Sequence, residues 1–312
     1  MLSVPRDDLK YTFSHDHAPV ARVQAGEEFV VETEINVGAA IRPGDMEVDA
    51  AKITWPYVNP LTGPIYIESA KAGDVLAVRL LDIDIEPPIY CAVFPGWSAF
   101  KSWFDREDFA PRTHVVRIED GEIVWNERLR FPAKPMIGTI GTAPVLTAPS
   151  SVDNGRHGGN MDVQEVCPGN TLYVPCNVDG GLLYMGDAQA HQGDGELACT
   201  SIEGRARIRL VVDVRQKPPT MSWPRIESSE YLMTAVSLHP MEDALLTAFE
   251  QLLGWVQEDY AADPVEAYML LGQTLNARAT AICNPKPTYL CKIHKSILKA
   301  FPRRDDKSAS EA

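Results

Sequence analysis

The chain is short of basic residues: 29 Lys and Arg stand against 43 Asp and Glu in 312 residues, a formal net charge of -14. A nucleic-acid surface needs clustered cations to displace the counterions of the phosphates, so no nucleic-acid partner is expected. The acidic balance reads as ordinary solubility rather than as a sign of a cationic partner. Long apolar runs are also missing. No stretch approaches the ~20 apolar residues that span a bilayer. The start, Met1-Leu2-Ser3-Val4-Pro5-Arg6-Asp7-Asp8, carries neither an apolar h-region nor a cleavage site. No membrane partner is expected, and the cytoplasm is the expected compartment. The six cysteines, Cys91, Cys167, Cys176, Cys199, Cys283 and Cys291, form no C-x-x-C pair and no dense framework, which reads as reduced thiols. There is no internal repeat and no H-E-x-x-H pair.

Sustained helical periodicity is absent from the first 220 residues, and strand signals fill the space. Phe29-Val30-Val31 follows a turn at Gly26, and Asn59-Pro60-Leu61-Thr62-Gly63-Pro64 leads into Ile65-Tyr66-Ile67. Lys71-Ala72-Gly73-Asp74 turns into Val75 to Ile83, and a strand pair is expected around Val115–Ile118 and Ile123–Trp125. Arg205, Arg207 and Arg209 alternate with Ala206, Ile208 and Leu210, so the stretch to Val214 reads as a half-buried strand. Tyr90, Phe94, Trp97, Phe100, Trp103 and Phe104 form an aromatic loop that either lines a pocket or plugs an open end of the fold, with one short helix at Trp97–Phe104.

Helices are expected only later. Ala244, Leu245, Ala248, Phe249, Leu252, Leu253 and Val256 recur at three- and four-residue spacing. Asp263-Pro264-Val265-Glu266 then supplies an N-cap, Pro at the first position and a Glu in the first turn. Strands around Ala279–Cys283 and Thr288–Cys291 close the chain. The expected fold is mainly β, a β-sandwich-like core with an α+β C-terminal segment. The expected division is a β-rich core over 1–220, the C-terminal segment over 221–302 packed on it, and a charged tail over 303–312.

Chemistry concentrates between Arg156 and Glu203. His157-Gly158-Gly159-Asn160-Met161-Asp162 opens this stretch, and Gly186-Asp187-Ala188-Gln189-Ala190-His191-Gln192-Gly193-Asp194-Gly195-Glu196 lies towards its end. Any one Gly-Asp here is satisfied by a turn in which the Asp caps its own backbone. Several acids threaded through apolar strands are another matter, because buried carboxylates repel unless a cation or a shared proton relieves them. Asp187 is placed at the end of a buried strand. Glu196–Glu203 is read as a strand whose alternation sends its two glutamates to opposite faces, so they need not share a site. His15 and His17 around Asp16 read as a metal pair or as a surface segment.

Four anchors in order, covering nearly the whole chain, resemble the acetamidase/formamidase family. They are Asn59 to Ile67, Pro135-Met136-Ile137-Gly138 through Ala143-Pro144, His157 to Asp162, and Gly186 to Glu196. Glu266 to Leu271 and Ile282-Cys283-Asn284-Pro285 fit as well. The resemblance implies hydrolysis of a short amide to carboxylate and ammonia, a divalent ion with zinc first and calcium second, and a homo-oligomer, a dimer by preference. Carried onto this chain, it makes Asp162, Asp187, Glu203 and His157 the candidate metal ligands. Glu196 and His191 become the candidates for moving the proton to the leaving nitrogen, and Asn160 and Gln189 for holding the substrate amide. Two departures stand out: Gln189 occupies a position where relatives carry His, and Glu34-Ile35-Asn36-Val37-Gly38 replaces a loop usually richer in acid and glycine. Alternatives are a thiol amidase using Cys199 and a metal-stabilised β-sandwich that only binds ligands. A Ser-Ser-Lys amidase is disfavoured, because Ser150-Ser151 lacks the Gly-rich frame.

Overall fold

A computed structural model describes residues 1–304. The architecture is the expected one: mostly strand, in a curled and largely antiparallel sheet, with its α-helices in the C-terminal segment. The Ile202–Gln216 strand is the spine. It pairs antiparallel with Glu28–Thr33 on one side and with the 20-residue Asp74–Val93 strand on the other. Its alternation works as read: Ala206, Ile208, Leu210 and Val212 are fully buried. Arg205, Arg207 and Arg209 meet Glu34, Glu32 and Glu28 at 2.5, 2.8 and 3.1 Å across the ladder. Such exposed pairs stabilise by only a few tenths of a kcal/mol each, but together they reject a one-residue slip that would bury three arginines.

The Leu183–His191 strand runs between Met136–Thr142 and Leu61–Ile67, and its end pairs with the start of the spine. Below them lies the main core, with Phe29, Val31, Ile65, Leu76, Val78, Ile137 and Ile140 among its members. The Arg112–Glu119 and Glu122–Asn126 strands form the expected hairpin.

The strand expected near Tyr231 is one arm of a hairpin, Arg225–Glu227 with Tyr231–Ser237. Arg225–Glu227 also pairs with Thr171–Pro175, so one ladder runs across the boundary expected at 220/221. The Met241–Asp259 helix lays Ala244, Ala248, Leu252 and Val256 on this part of the sheet, against Trp223, Leu232, Val236 and Ile293. Asp263 caps the Pro264–Thr274 helix by accepting from the N–H groups of Val265 and Glu266, both at 3.0 Å. The strands Asn276–Ala281 and Thr288–His294 pair as expected. No helix among the described residues is long and apolar enough to cross a membrane. Arg303 makes an isolated bridge to Tyr260, so the expected tail begins on ordered backbone, and its residues 305–312 lie outside the described part.

Candidate active site

The site grows from a gap in one ladder. Met136–Thr142 and Leu183–His191 pair at Ile137–Ala188 and at Thr139–Gly186, and the pairing skips Gly138 and Asp187. Asp187 therefore sits in the middle of its strand rather than at the end, with φ at +56°. A Cβ on Gly138 would lie 2.3 Å from Asp162 Oδ1, 2.6 Å from Asp187 Oδ2 and 3.0 Å from Gln189 Nε2. The absent side chain is the notch into which two carboxylates fold. Only glycine leaves that space.

Two more acids close over the notch. Glu203 stands opposite Gln189 on the ladder and accepts from the Ser201 N–H at 2.7 Å, while its Oε2 finds no partner. Glu196 accepts from Ser201 Oγ at 3.0 Å and from the Cys283 thiol at 3.6 Å. The expectation that Glu196–Glu203 is one strand is corrected here. Residues 193–201 are turns, with Glu196 and Cys199 at φ +46° and +59°, and the strand starts at Ile202. Face alternation therefore does not apply, and the two glutamates come to the same cavity.

Asp162, Asp187, Glu196 and Glu203 are all buried, and burial raises every one of their pKa values first. Repulsion from the neighbouring acids adds to this at Asp187, Glu196 and Glu203, and Asp187 is pushed up to about 8 by desolvation and then by the Asp162 charge. No Lys or Arg among the described residues helps to hold their charge. At Asp162 the neighbours act the other way, and Asn284, Glu196, Gln189 and Asp187 draw its pKa back down. Thr139 Oγ1 lies 2.6 Å from Asn160 Oδ1 and 3.2 Å from Asp187 Oδ2. A hydroxyl has one hydrogen to give, so a protonated Asp187 donating to Thr139 satisfies the whole chain of contacts.

Asn284 donates to Asp162 Oδ2 and, at 2.9 Å, to the Asn160 carbonyl, which brings the Ile282–Pro285 segment onto the acids. Over the cluster opens a cavity of about 540 Å³, walled by Trp55, Trp97, Lys101, Asn36, Asn160 and Cys199 among others. Of the six aromatics in the loop, Trp97 lines this cavity, whereas Tyr90 is buried in a separate apolar cluster and Phe100 stacks on Trp103; the helical turn is a 3-10 turn at Lys101–Asp105. Non-glycine residues held at positive φ gather in this wall: Asn59, Asp162, Asp187, Glu196 and Cys199 line it, and among the described residues Ser69, Asp120 and Leu182 are the others. Non-glycine residues in that region cost about 1–3 kcal/mol each and persist where the surroundings over-determine them.

Among the residues expected in the site, Asp162, Asp187, Glu196, Glu203 and Asn160 are brought together. Three are not on the cavity wall. Gln189 is fully buried behind Asp162 and donates to its Oδ1 at 3.1 Å. His157 packs edge-on against Phe13 with ring centroids 4.9 Å apart, and burial pushes its pKa down to about 4. His191 sits past a bulge in its strand, half-buried, with Nδ1 3.1 Å from the Pro132 carbonyl and its ring on Phe131. That one-residue irregularity takes it off the face that Asp187 and Gln189 share. His17 Nδ1 lies 2.9 Å from the Tyr184 hydroxyl and His15 Nδ1 3.2 Å from the Pro144 carbonyl, both away from the cavity. Residues that pattern reasoning left without a role are Gly138, Thr139, Asn36, Ser201, Cys283 and Asn284. The signal for Gly138, Thr139, Cys283 and Asn284 lay in the Pro135–Pro144 and Ile282–Pro285 stretches, which read as anchors without a function, and Asn36 and Ser201 fall outside both.

The model of the acetamidase/formamidase family matches residues 6–154 and 145–240, and these segments carry the notch and all four acids. The chain belongs to that family. The acetamidase of Bacillus halodurans has a similar structure, with a TM-score of 0.89, 29% identity, and coverage of 96% of this chain and 99% of that one. An acetamidase from Yersinia enterocolitica superposes with a TM-score of 0.87 at 30% identity, over 95% of this chain and 92% of that one. A formamidase from Methylophilus methylotrophus is 25% identical over 59% of this chain, which spans 58% of the length of that protein.

Proposed function

We propose that this protein is an amidohydrolase that cleaves a carboxamide to carboxylate and ammonia in the acid-floored cavity. Four buried carboxyl groups at the base of a cavity, none of them in an ion pair with Lys or Arg among the described residues, carry this reading. The relatives called acetamidase and formamidase support the choice of an amide as substrate.

The donor chemistry fits a divalent cation, although among the described residues no three His, Cys, Asp or Glu side chains surround one point as ligands. Asp162, Asp187 and Glu203 would hold the ion, and the unpartnered Glu203 Oε2 is a ready contact. With His157 away from the cavity the donors are all oxygen, which suits a hard ion such as calcium at least as well as zinc. When bound, such an ion polarises a carbonyl and lowers the pKa of water.

The chain's own groups do the rest. Glu196, whose pKa burial holds well above the ordinary carboxyl range, is a strong base once ionised, and in that form it takes a proton from the attacking water and returns it to the departing nitrogen. Thr139 and Asn59 occupy Asn160 Oδ1 at 2.6 and 3.3 Å, which leaves Asn160 Nδ2 to donate to the substrate carbonyl. Asn36 is oriented likewise by the Tyr90 hydroxyl, which donates to its Oδ1 at 2.7 Å. The cavity of about 540 Å³ is of the size that encloses drug-like ligands. With Trp55 and Trp97 on its wall, it accommodates amides bulkier than acetamide.

The experiment is ammonia release from a panel of aliphatic and aromatic amides, before and after chelation and with zinc or calcium added back. Loss and rescue are expected, and Asp162→Ala should abolish turnover while the fold remains. An Asp162→Ala protein with unchanged turnover would sink the assignment. A second reading has one observation in its favour: Cys199 lines the cavity, with its pKa lowered chiefly by the neighbouring Cys283. Turnover by Cys199→Ala removes it.

A further inference from the structure

Two of the six cysteines, 84 positions apart in the sequence, meet at the cavity wall. Cys199 and Cys283 are each the strongest influence on the other's pKa, lowering the first and raising the second, and both are half-buried. Their meeting is built into the backbone. The Gly195 N–H donates to the carbonyls of Ala279 and Thr280 at 3.1 and 3.0 Å, and the Ile282 N–H returns to the Gly195 carbonyl at 3.0 Å. Four residues on from Gly195 stands Cys199, in a turn closed by its own N–H to the Glu196 carbonyl at 2.9 Å. One residue on from Ile282 stands Cys283, whose thiol donates to the same Glu196 carbonyl at 3.2 Å. Both segments are thus fixed on one carbonyl, which brings the two cysteines to the same stretch of cavity wall.

We infer that Cys199 and Cys283 are a redox pair that a hydroperoxide converts to a reversible disulfide, locking the 193–201 turn to the 282–285 segment in the cavity wall. The chemistry closes without another reactant. The Cys199 thiolate attacks the peroxide O–O bond and becomes a sulfenic acid, releasing hydroxide. Cys283 sulfur then attacks the sulfenic sulfur, the S–O bond breaks, and the S–S bond forms. The two thiol protons and the two hydroxide ions leave as water, so two thiols are oxidised and one peroxide is reduced. Cys199 suits the attacking role because Cys283, and to a smaller extent the positive charge of Lys101, lower its pKa by more than burial and the Asp162 charge raise it. The bond also takes the Cys283 S–H away from Glu196. The other half-buried thiols, Cys91 and Cys167, have pKa values raised by burial to about 11 and are poor competitors.

The test reads mass, so it stands or falls separately from the amidase reading. Native full-length protein is treated with hydrogen peroxide, its free thiols are alkylated, and the peptides are mapped without reduction. A peptide linking Cys199 to Cys283 is expected, with intact mass lower by two hydrogens and restored by dithiothreitol. In Cys283→Ser, Cys199 should pass instead to the sulfinic and sulfonic forms. The inference is overturned if both cysteines remain alkylated, if Cys199 gains oxygen in the wild type without cross-linking, or if the disulfide joins other positions.

Discussion

Gly138→Ala isolates the packing of the acidic notch, because it adds one methyl group and changes no charge. The φ of Gly138 lies outside the left-handed region, so alanine meets no backbone penalty there. What it meets is Asp162 Oδ1 at 2.3 Å and Asp187 Oδ2 at 2.6 Å, where side-chain carbons are essentially never found below 3.0 Å. Asp162 must therefore retreat by at least 0.7 Å, the difference between 3.0 and 2.3 Å, and Asp187 by at least 0.4 Å. Neither can swing freely, because Gln189 and Asn284 hold the first and Thr139 the second. Overpacking of this kind costs about 1–3 kcal/mol. A misplacement approaching 1 Å at a reacting centre costs ~100-fold in rate. The assay is kcat/KM for ammonia release beside a urea melt, with Gly193→Ala as control, since a Cβ there meets nothing within 4 Å. The variant should lose roughly two orders of magnitude in kcat/KM, while Gly193→Ala stays close to wild type in both measurements. Wild-type activity and stability in Gly138→Ala would refute the notch as the organising feature of the site.

Two predictions concern pH. In chelated protein, Asp187 has its folded pKa raised to about 8, so its contribution to stability is present below the unfolded value of ~3.9 and is lost as pH rises towards 8. Urea midpoints without metal should therefore fall from pH 5 to pH 8, and added divalent cation should restore the pH 8 value; a flat profile would contradict the buried acidic cluster. His157 runs the other way, because its folded pKa is depressed to about 4 below an ordinary 6.5. Its contribution is complete above pH 6.5 and lost as pH falls through 4, about 2–3 kcal/mol by pH 4.5. Wild type should lose that much more than His157→Gln between pH 7 and 4.5 in the same melts, and equal losses would show that His157 is already charged when folded.

Much of the local structure was in the sequence, although not the turns at 193–201. Alternation of arginines with Ala206, Ile208 and Leu210 sets a half-buried strand, because side chains on a strand switch faces at every residue. The apolar stripe from Ala244 to Val256 and the cap at Asp263 define helices by spacing and chemistry within a few residues. The acids and the four anchors of the central stretch were equally legible, since glycine beside carboxylate marks backbone freedom and charge together.

Tertiary structure decided which of those residues meet. Asp162 and Asn284 are 122 positions apart and touch only because the last strands fold back over the centre. A register irregularity between Gln189 and His191 sent a histidine expected in the site to another face. Turns at positive φ brought Glu196 and Glu203 together where strand alternation would have parted them. His157 became a packing residue against Phe13, because the partner that fixes its protonation lies far off in the chain. Propensity and spacing act over a few residues. Burial, register and the distance between two charges are properties of the folded chain, and those are what turned a run of acids into a cavity.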